Sequence, residues 1–369
     1  MKRLETWIYG VLLVATLGLA WSVRTAEEPE EQGAALVFDP GPGGITVMRW
    51  DGEEELATIE VSGKGDALQT WVTAGKKEKI KTPKPTPGDD DDSGSDDDDS
   101  AVAEASQPAV KPEMDVTWGD AVLRSFPGNE TAKKLVESFS PLNALREFDK
   151  LDPEALEQMG LDVPKGSLVV EASSGTVTFE VGEKAYGSSD TYMRNPRTGR
   201  VYLVASKDLS PLRGAENRLV ERKLQDVEEP EMTGVQLSVQ GAAVGPERVH
   251  QGRHDKNNSF WSLPDSPEDQ DTVFGGFLEK VLQLRASTYP SDAEKPEEGA
   301  VEEVFAVQFN GEAGPLGTLR LGRVKDDERS TDSEIVWKYM ARTERTRQWV
   351  VVSSATASEL ADQFLQVVQ

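Results

Sequence analysis

The two histidines of the chain, His250 and His254, have a spacing that on a helix would place both rings on one face, as in a zinc pair. Gly252 lies between them and Asp255 follows, and these residue types favour a turn over a helix. The internal repeat described below also places both histidines in a connection between strands. We therefore expect no metal site here.

Other catalytic arrangements are equally poorly supported. A serine nucleophile needs a neighbouring base, and neither histidine has a counterpart in the first half of the chain. Paired carboxylates cannot be recognised by spacing in a sequence with 66 acidic residues. The sequence thus predicts no catalytic residue, no cofactor and no enzymatic activity, and it leaves the binding residues unknown.

Four aromatic residues could instead contact a ligand: Trp71 and Trp261, and Tyr192 and Tyr339. Each pair occupies matching positions in the two halves of the chain. An aromatic ligand platform is one interpretation, but a large residue that anchors each sheet is favoured. Two copies of a unit rarely keep the same catalytic residue in both.

Two further motifs have simpler interpretations than they first suggest. The glycine-rich segment 41–44 lacks the lysine and the following helix of a phosphate-binding loop, so it predicts a turn before a strand. The aspartate runs 89–92 and 96–99 lack the alternate ligand spacing and the closing glutamate of a calcium loop. They predict a solvated, self-repelling segment.

Composition limits the partners of the protein. The formal net charge of −26 repels nucleic acid, which binds through neutralised phosphates, and it disfavours anionic lipid surfaces. The chain has no cysteine, which excludes disulfides, thiolate metal sites and a cysteine nucleophile. This composition fits a bacterial envelope protein.

The N-terminus predicts a membrane anchor. Residues 7–23 form an apolar run with aromatic residues near both ends, and Lys2 and Arg3 precede it. These charges indicate a single pass through a bacterial inner membrane, with the remainder of the chain in the periplasm. A cleaved signal peptide is the alternative, because residues 18–20 offer a small-x-small site.

The chain also contains an internal repeat. The early matches share an offset of 190 residues (261 minus 71), and the later ones an offset of 147 (339 minus 192). The matched pairs are Ile45 with Val235, Val47 with Leu237, Trp71 with Trp261, Tyr192 with Tyr339, and Ser206 with Ser353. The offset falls because the first copy carries extra chain, mainly 76–114 and 150–166.

Hydrophobic periodicity predicts the same element order in both copies. The predicted strands are 45–50, 55–61, 69–74, 167–172, 175–181, 190–194 and 200–205, then 302–309, 316–321, 334–341 and 347–353. The predicted helices are 129–148, 153–159, 207–224, 268–285 and 355–367. Short connections between successive strands favour antiparallel sheets with helices packed on one face.

The predicted architecture is therefore α+β, with two tandem repeat units after one transmembrane helix. Its segments are a cytoplasmic stub and anchor (1–24), a spacer (25–41), a first unit (42–227) and a second unit (228–369). The first unit contains an acidic insertion, 76–114, whose composition predicts disorder.

The order of several short motifs resembles a known family. Residues 160–164 read Gly-Leu-Asp-Val-Pro, 181–184 read Val-Gly-Glu-Lys, and 217–220 read Asn-Arg-Leu-Val, with Tyr192 and strand 201–204 between them. This resembles domain-of-unknown-function family 4340, over 1–24 and most of 42–227, with a weaker second pass over 228–369. The second copy lacks the Gly-Leu-x-x-Pro segment.

The resemblance implies a membrane-anchored envelope protein, found alongside exporter-type ABC transporters and gliding-motility-type subunits, with no assigned catalytic residue. The leading hypothesis is a non-enzymatic accessory or scaffold protein whose partners are inner-membrane transporter subunits. The alternative is a periplasmic module that binds envelope polysaccharide or a small molecule in the cleft between the two units. A deep pocket lined by the two tryptophans and by polar groups would favour the second hypothesis.

Overall fold

The structure is a computed structural model, and it describes residues 35–83, 114–297, 299–326, 329–331 and 335–368. The strands of the first half are β1 (Ala35–Phe38), β2 (Ile45–Gly52), β3 (Glu55–Ser62), β4 (Gln69–Pro83), β5 (Met114–Pro127), β6 (Leu142–Ala144), β7 (Arg146–Phe148), β8 (Gly166–Ala172), β9 (Gly175–Lys184), β10 (Thr191–Arg194) and β11 (Val201–Val204). The strands of the second half are β12 (Met232–Val239), β13 (Ala242–Ala243), β14 (Arg248–Gln251), β15 (Phe260–Ser262), β16 (Ala286–Thr288), β17 (Glu302–Gly311), β18 (Gly314–Lys325), β19 (Trp337–Arg342) and β20 (Val350–Val352). The helices are α1 (Glu130–Ser138), α2 (Pro153–Gln158), α3 (Ser206–Leu209), α4 (Ala215–Arg218), α5 (Thr272–Gln283) and α6 (Ser354–Val367).

Two large sheets hold most of these strands. The first has the order β5-β4-β3-β2-β8-β9-β10-β11-β7, and the second β15-β14-β12-β17-β18-β19-β20-β16, with β13 paired to β12. All of these neighbours are antiparallel. The α+β class with mainly antiparallel sheets is therefore confirmed.

The strand order around β2 in the first sheet is similar to the order around β12 in the second. Strand β2 pairs with β3 on one side and with β8 on the other, and β12 pairs with β14 on one side and with β17 on the other. The strands containing Trp71 and Trp261 are β4, two places away from β2, and β15, two places away from β12. The outer strand β5 occupies a position that has no equivalent in the second sheet.

The buried residues of both halves form one continuous hydrophobic cluster. Met48, Ile59 and Val72 supply it from the first sheet, and Phe305 and Phe309 supply it from the second. Strands with alternating burial, such as β2, present one face to this core. Helices α5 and α6 pack on each other, and Phe277 of α5 lies 6.4 Å from Phe364 of α6 between ring centroids.

Direct hydrogen bonds fix the contact between the halves. The Nη2 atom of Arg124 on β5 donates to both carboxylate oxygens of Glu294, each at 2.9 Å. The Gln348 side chain donates to the Ser125 carbonyl oxygen at 2.8 Å. The Tyr289 hydroxyl donates to the Glu221 carbonyl oxygen, also at 2.8 Å. These polar contacts and the shared core hold the two sheets in one arrangement.

Several predicted boundaries were wrong. The helix predicted over 129–148 ends at Ser138, because Pro141 lacks an N–H and disfavours a helical residue before it. The apolar residues that follow form β6 and β7 instead. The helix predicted over 207–224 is replaced by α3 and α4, because Pro211 and Gly214 interrupt it.

Two segments predicted to lack structure contain strands. The predicted spacer 25–41 includes β1, which pairs with β6 and buries Phe38. The predicted disordered insertion 76–114 contributes its first eight residues to β4 and its last residue to β5. Lys77 on β4 is held by Asp51 and the Gly52 carbonyl oxygen, which explains how a lysine-rich segment joins the sheet. Residues 84–113, with both aspartate runs, lie outside the described residues.

No helix within the described ranges is long and apolar enough to cross a membrane. The predicted anchor, residues 7–23, lies outside those ranges.

Candidate functional site

The two histidines do not share a helical face. His250 lies on β14, so the prediction that it belongs to a turn was wrong, whereas His254 lies in the turn that follows. The His250 ring stacks on Trp261 with 4.5 Å between ring centroids, and its Nδ1 lies 3.3 Å from the Met232 carbonyl oxygen. Arg253 Nε donates to His254 Nε2 at 3.1 Å.

Burial lowers the pKa of His250, although the nearby Glu229 carboxylate opposes this effect. His250 Nε2 lies 3.7 Å from that carboxylate and makes no hydrogen bond. The ring is therefore a neutral, packed side chain. Among the described residues, no group of three or more His, Asp and Glu could hold a metal ion.

The two tryptophans differ more than the repeat suggests. Trp261 is only 2% exposed, and its Nε1 donates to Glu229 at 2.9 Å, so it anchors the second sheet as expected. Trp71 is only half-buried, and the guanidinium of Arg347 lies 4.3 Å above its ring centroid.

The other residues considered from the sequence have structural surroundings. Tyr192 packs edge-on against Phe148 with 6.1 Å between ring centroids. Tyr339 is 8% exposed. The glycine-rich segment 41–44 forms the predicted turn before β2, and Gly41 and Gly44 adopt φ angles of 72° and 76°.

Trp71 lines a cleft of about 620 Å³ between the two halves of the protein. One wall comes from the β3–β4 connection, the end of β5 and the first turn of α1. The other comes from the β17–β18 turn and the β19–β20 turn, and the chain segment 224–227 lies between them. The volume is within the range of about 300–1,000 Å³ that is typical of small-molecule sites.

Arg347 reaches this cleft from an unusual backbone conformation. Its φ angle is +58°, in the left-handed region that costs a residue other than glycine free energy. The conformation places its guanidinium on the face of Trp71, a cation–π contact between the two halves. Neither Arg347 nor Lys133, which lines the same cleft from α1, has a carboxylate partner within the described part of the chain.

The carboxylates of the cleft are already engaged. Arg345 pairs with Asp226 and lies 3.6 Å from Glu221. Burial lowers the pKa of the Arg345 guanidinium, and Glu221 opposes that shift. The Glu344 carboxylate accepts a hydrogen bond of 3.0 Å from the Thr318 N–H.

Two polar side chains in the cleft wall lack hydrogen-bond partners among the described residues. Gln225 is 7% exposed, and within the described ranges neither its Nε2 nor its Oε1 makes a hydrogen bond. Thr70 is 6% exposed, and its Oγ1 likewise has no partner in the part of the chain that the structure describes. A buried amide or hydroxyl left in this state costs about 1–3 kcal/mol each, so these groups are poorly explained by stability.

Gly128 makes the packing around Thr70 possible. A Cβ on Gly128 would lie 2.8 Å from the Ala132 Cβ and closer still to Thr70 Oγ1. The Gly128 N–H donates to the Thr70 carbonyl oxygen at 2.8 Å, which joins the end of β5 to β4. Glycine is therefore required where these two strands meet the first turn of α1.

Chemically, the cleft offers many uncharged hydrogen-bonding groups, two aromatic rings, three cations and three carboxylates. The rings are Trp71 and Phe309, the cations are Lys133, Arg345 and Arg347, and the carboxylates are Asp226, Glu231 and Glu344. Its neutral polar side chains are Ser62, Gln69, Thr70, Gln225, Thr318 and Thr343. Of the residues that line the cleft, only Trp71 was singled out from the sequence. The others were missed, because they come from separate segments and share no local pattern.

Residues 129–303 match the model of the family described as Domain of unknown function (DUF4340). The resemblance found in the sequence is therefore confirmed for this segment, which runs from α1 into β17 and includes Lys133 and Gln225. The matched segment, 129–303, differs in both bounds from the segment 42–227 over which the sequence resembles the family. No curated protein and no solved structure matches the chain.

Proposed function

We propose that this chain is a non-enzymatic binding protein that holds a polar ligand in the cleft between its two halves. The observation that carries this proposal is the Gln225 side chain, which is almost fully buried in the cleft wall, with no described residue hydrogen-bonded to either end of its amide. A ligand that exchanges hydrogen bonds with this amide removes its desolvation cost, and that gain favours binding. Gln225 is one of the residues that line the cleft.

The fixed contact between the halves supports a site that exists before the ligand arrives. Arg124, Gln348 and Tyr289 tie the two sheets together around the cleft. A preformed site loses less entropy on binding than one that must first be assembled.

The direct test is to fill the cleft. Ser62 lies at the exposed end of β3 on the cleft wall, so Ser62→Trp places a large ring there without entering the core. The matched control is Thr178→Trp, an exposed position on β9 outside the cleft. We expect native mass spectrometry of the full chain, after incubation with the small-molecule fraction of its source cells, to show a discrete adduct.

The adduct should persist in Thr178→Trp and disappear in Ser62→Trp. Identical spectra for the wild-type chain and Ser62→Trp would refute the proposal.

A second candidate function is the accessory or scaffold role in an ABC-type transport complex. Its support is the hairpin of β4 and β5, whose outer strand forms the edge of the first sheet. Ile80, Val122 and Leu123 on this hairpin are 45%, 55% and 42% exposed, and exposed apolar side chains of this kind favour partner contacts. Ile80→Ser together with Val122→Ser should then abolish crosslinks to inner-membrane transporter subunits in intact membranes. Unchanged crosslinks would exclude the hairpin as the contact.

The cellular setting that we propose is the one expected from the sequence. Residues 7–23 anchor the chain in a bacterial inner membrane, and two tandem repeat units follow in the periplasm. The matching strand orders of the two sheets support the repeat. An alkaline phosphatase fusion after residue 41 should be active, and the protein should stay with membranes after a carbonate wash. An inactive fusion would contradict this orientation.

A further inference from the structure

We infer that the ligand of the cleft is an acidic saccharide, that is, a polyhydroxylated ring compound that carries a carboxylate or a phosphate. This inference rests on the proposed function and specifies the chemistry of its ligand. It depends on two unpaired cations, on the engaged state of the cleft carboxylates and on the neutral polar groups of the wall.

The two cations, Lys133 and Arg347, are available to an anion. The sequence has 66 acidic residues for 40 Lys and Arg, so carboxylate partners are abundant. Neither cation has one among the described residues. The Arg347 guanidinium lies 4.3 Å above the Trp71 ring centroid, and a cation–π contact does not use the N–H groups that make bidentate contacts to carboxylates and phosphates.

The carboxylates that line the same cleft do not cancel these charges by direct contact. Asp226 pairs with Arg345, and Glu344 accepts from the Thr318 N–H. Glu231 accepts a hydrogen bond of 2.9 Å from the Glu228 N–H. Each acidic group in the wall therefore has a donor of its own, whereas Lys133 and Arg347 have no carboxylate partner among the described residues.

The remaining surface suits hydroxyl groups. Six neutral polar side chains line the cleft, and hydroxyl groups both donate to and accept from amides and hydroxyls of this kind. Gln225 offers a donor and an acceptor side by side, which matches two neighbouring hydroxyls on a ring. The Trp71 ring supplies an apolar, planar surface in the same wall.

The backbone of Arg347 is a separate observation in favour of a ligand role. Its left-handed conformation is strained for arginine, and strained residues of this kind cluster at ligand-binding sites. The adjacent backbone holds this conformation in place, since the Arg347 N–H donates to the Thr343 carbonyl oxygen at 3.1 Å. Glycine or asparagine would fit this position with less strain. The backbone conformation therefore does not explain an arginine here, and the guanidinium does.

The experiment uses three probes that share one sugar ring: glucose, glucuronate and glucose 6-phosphate. Binding to the full chain is measured by isothermal titration calorimetry at low and at high salt. We expect one or both acidic probes to bind about tenfold more tightly than glucose, through charge-assisted hydrogen bonds that added salt weakens. The comparison of glucuronate with glucose 6-phosphate identifies the acidic group.

The test variants remove the two charges. Lys133→Gln keeps an extended side chain, and Arg347→Asn keeps a residue that tolerates a positive φ. The double variant should bind all three probes with equal affinity. The matched controls are Lys134→Gln on the same helix and Arg342→Asn on β19, both exposed, and they should retain the preference.

Each outcome is decisive. Equal affinity of the wild-type chain for glucose and both acidic probes would refute the inference that the ligand carries an acidic group. The cleft would then still be a site that binds sugars. If no probe binds but the adduct of the cleft-filling test is present, the saccharide class is wrong and the proposed function stands. If no probe binds and no adduct forms, both fail.

Discussion

Replacing Gln225 by leucine should make the protein more stable and less able to bind. The amide of Gln225 is buried without a hydrogen bond to any residue that the structure describes, so the folded state carries its desolvation cost of about 1–3 kcal/mol. Leucine has a similar volume and no polar atoms, so it removes that cost and keeps the packing. For a chain of this size, the gain corresponds to a rise of about 2–5 °C in the thermal midpoint.

The assay compares thermal unfolding of the full chain by circular dichroism for the wild-type protein, Gln225→Leu and a control. The control is Gln236→Leu, because the Gln236 amide donates to the Leu237 carbonyl oxygen at 2.9 Å. Losing that bond should leave stability unchanged or lower it by about 1 kcal/mol. The adduct expected for the wild-type chain should weaken or vanish in Gln225→Leu.

A midpoint for Gln225→Leu that falls by several degrees would refute the reasoning. It would mean that the amide contributes to stability through partners of its own, and that binding is not needed to explain it. A midpoint that rises without any loss of the adduct would confirm the desolvation cost but remove Gln225 from the binding site.

Three further predictions concern the same structure. Burial lowers the pKa of His250, so as the pH falls below about 6.5 the imidazole is protonated in the unfolded chain before it is protonated in the folded one. The free energy of unfolding, measured by urea titration, should therefore fall from pH 7.5 to 5.5, and it should fall less in His250→Gln. Burial instead raises the pKa of Asp208, so stability falls as the pH rises through 3.8. The thermal midpoint of Asp208→Asn should therefore exceed that of the wild-type chain at pH 7, with a gain that shrinks towards pH 4. An equal gain at both pH values would contradict this cause. Gly128→Ala should lower the free energy of unfolding by ~1–3 kcal/mol, because its Cβ meets Ala132 and Thr70, and an unchanged urea midpoint would show that the contact relaxes freely.

The strands that alternate apolar and polar residues were predictable from the sequence. Strands β2, β3 and β8 lie within two residues of their predicted positions, because their buried faces follow the period of two. The Asn129 cap of α1 was also predictable, since its side chain accepts from the Thr131 and Ala132 N–H groups. Local pattern and capping chemistry are sufficient for these elements.

The strands β5, β14 and β15 were not predictable in the same way. Strand β14 is four residues long and β15 is three, and strands this short do not show a recognisable alternation of apolar and polar residues. Strand β5 follows a segment of lysine, proline and aspartate whose composition resembles a disordered linker. The position of these strands depends on partners that are distant in sequence.

The cleft could not be derived from local sequence at all. Thr70, Lys133, Gln225 and Arg347 come from four separate segments, and only the packing of the two sheets brings them to one surface. The positive φ of Arg347 has no sequence signal, because arginine rarely adopts it. Trp71 was noticed in the sequence, but its partial exposure depends on the neighbouring half.

The contact between the sheets determines how a ligand enters. Because Arg124, Ser125 and the segment 221–227 all contact the second half, the described walls of the cleft are held against each other. Association should therefore be a single step, with an observed rate that increases linearly with ligand concentration and reaches no plateau. Such a protein responds to its ligand by occupancy alone, and any signal that it passes to a partner must come from the chemistry of the bound molecule at the cleft mouth.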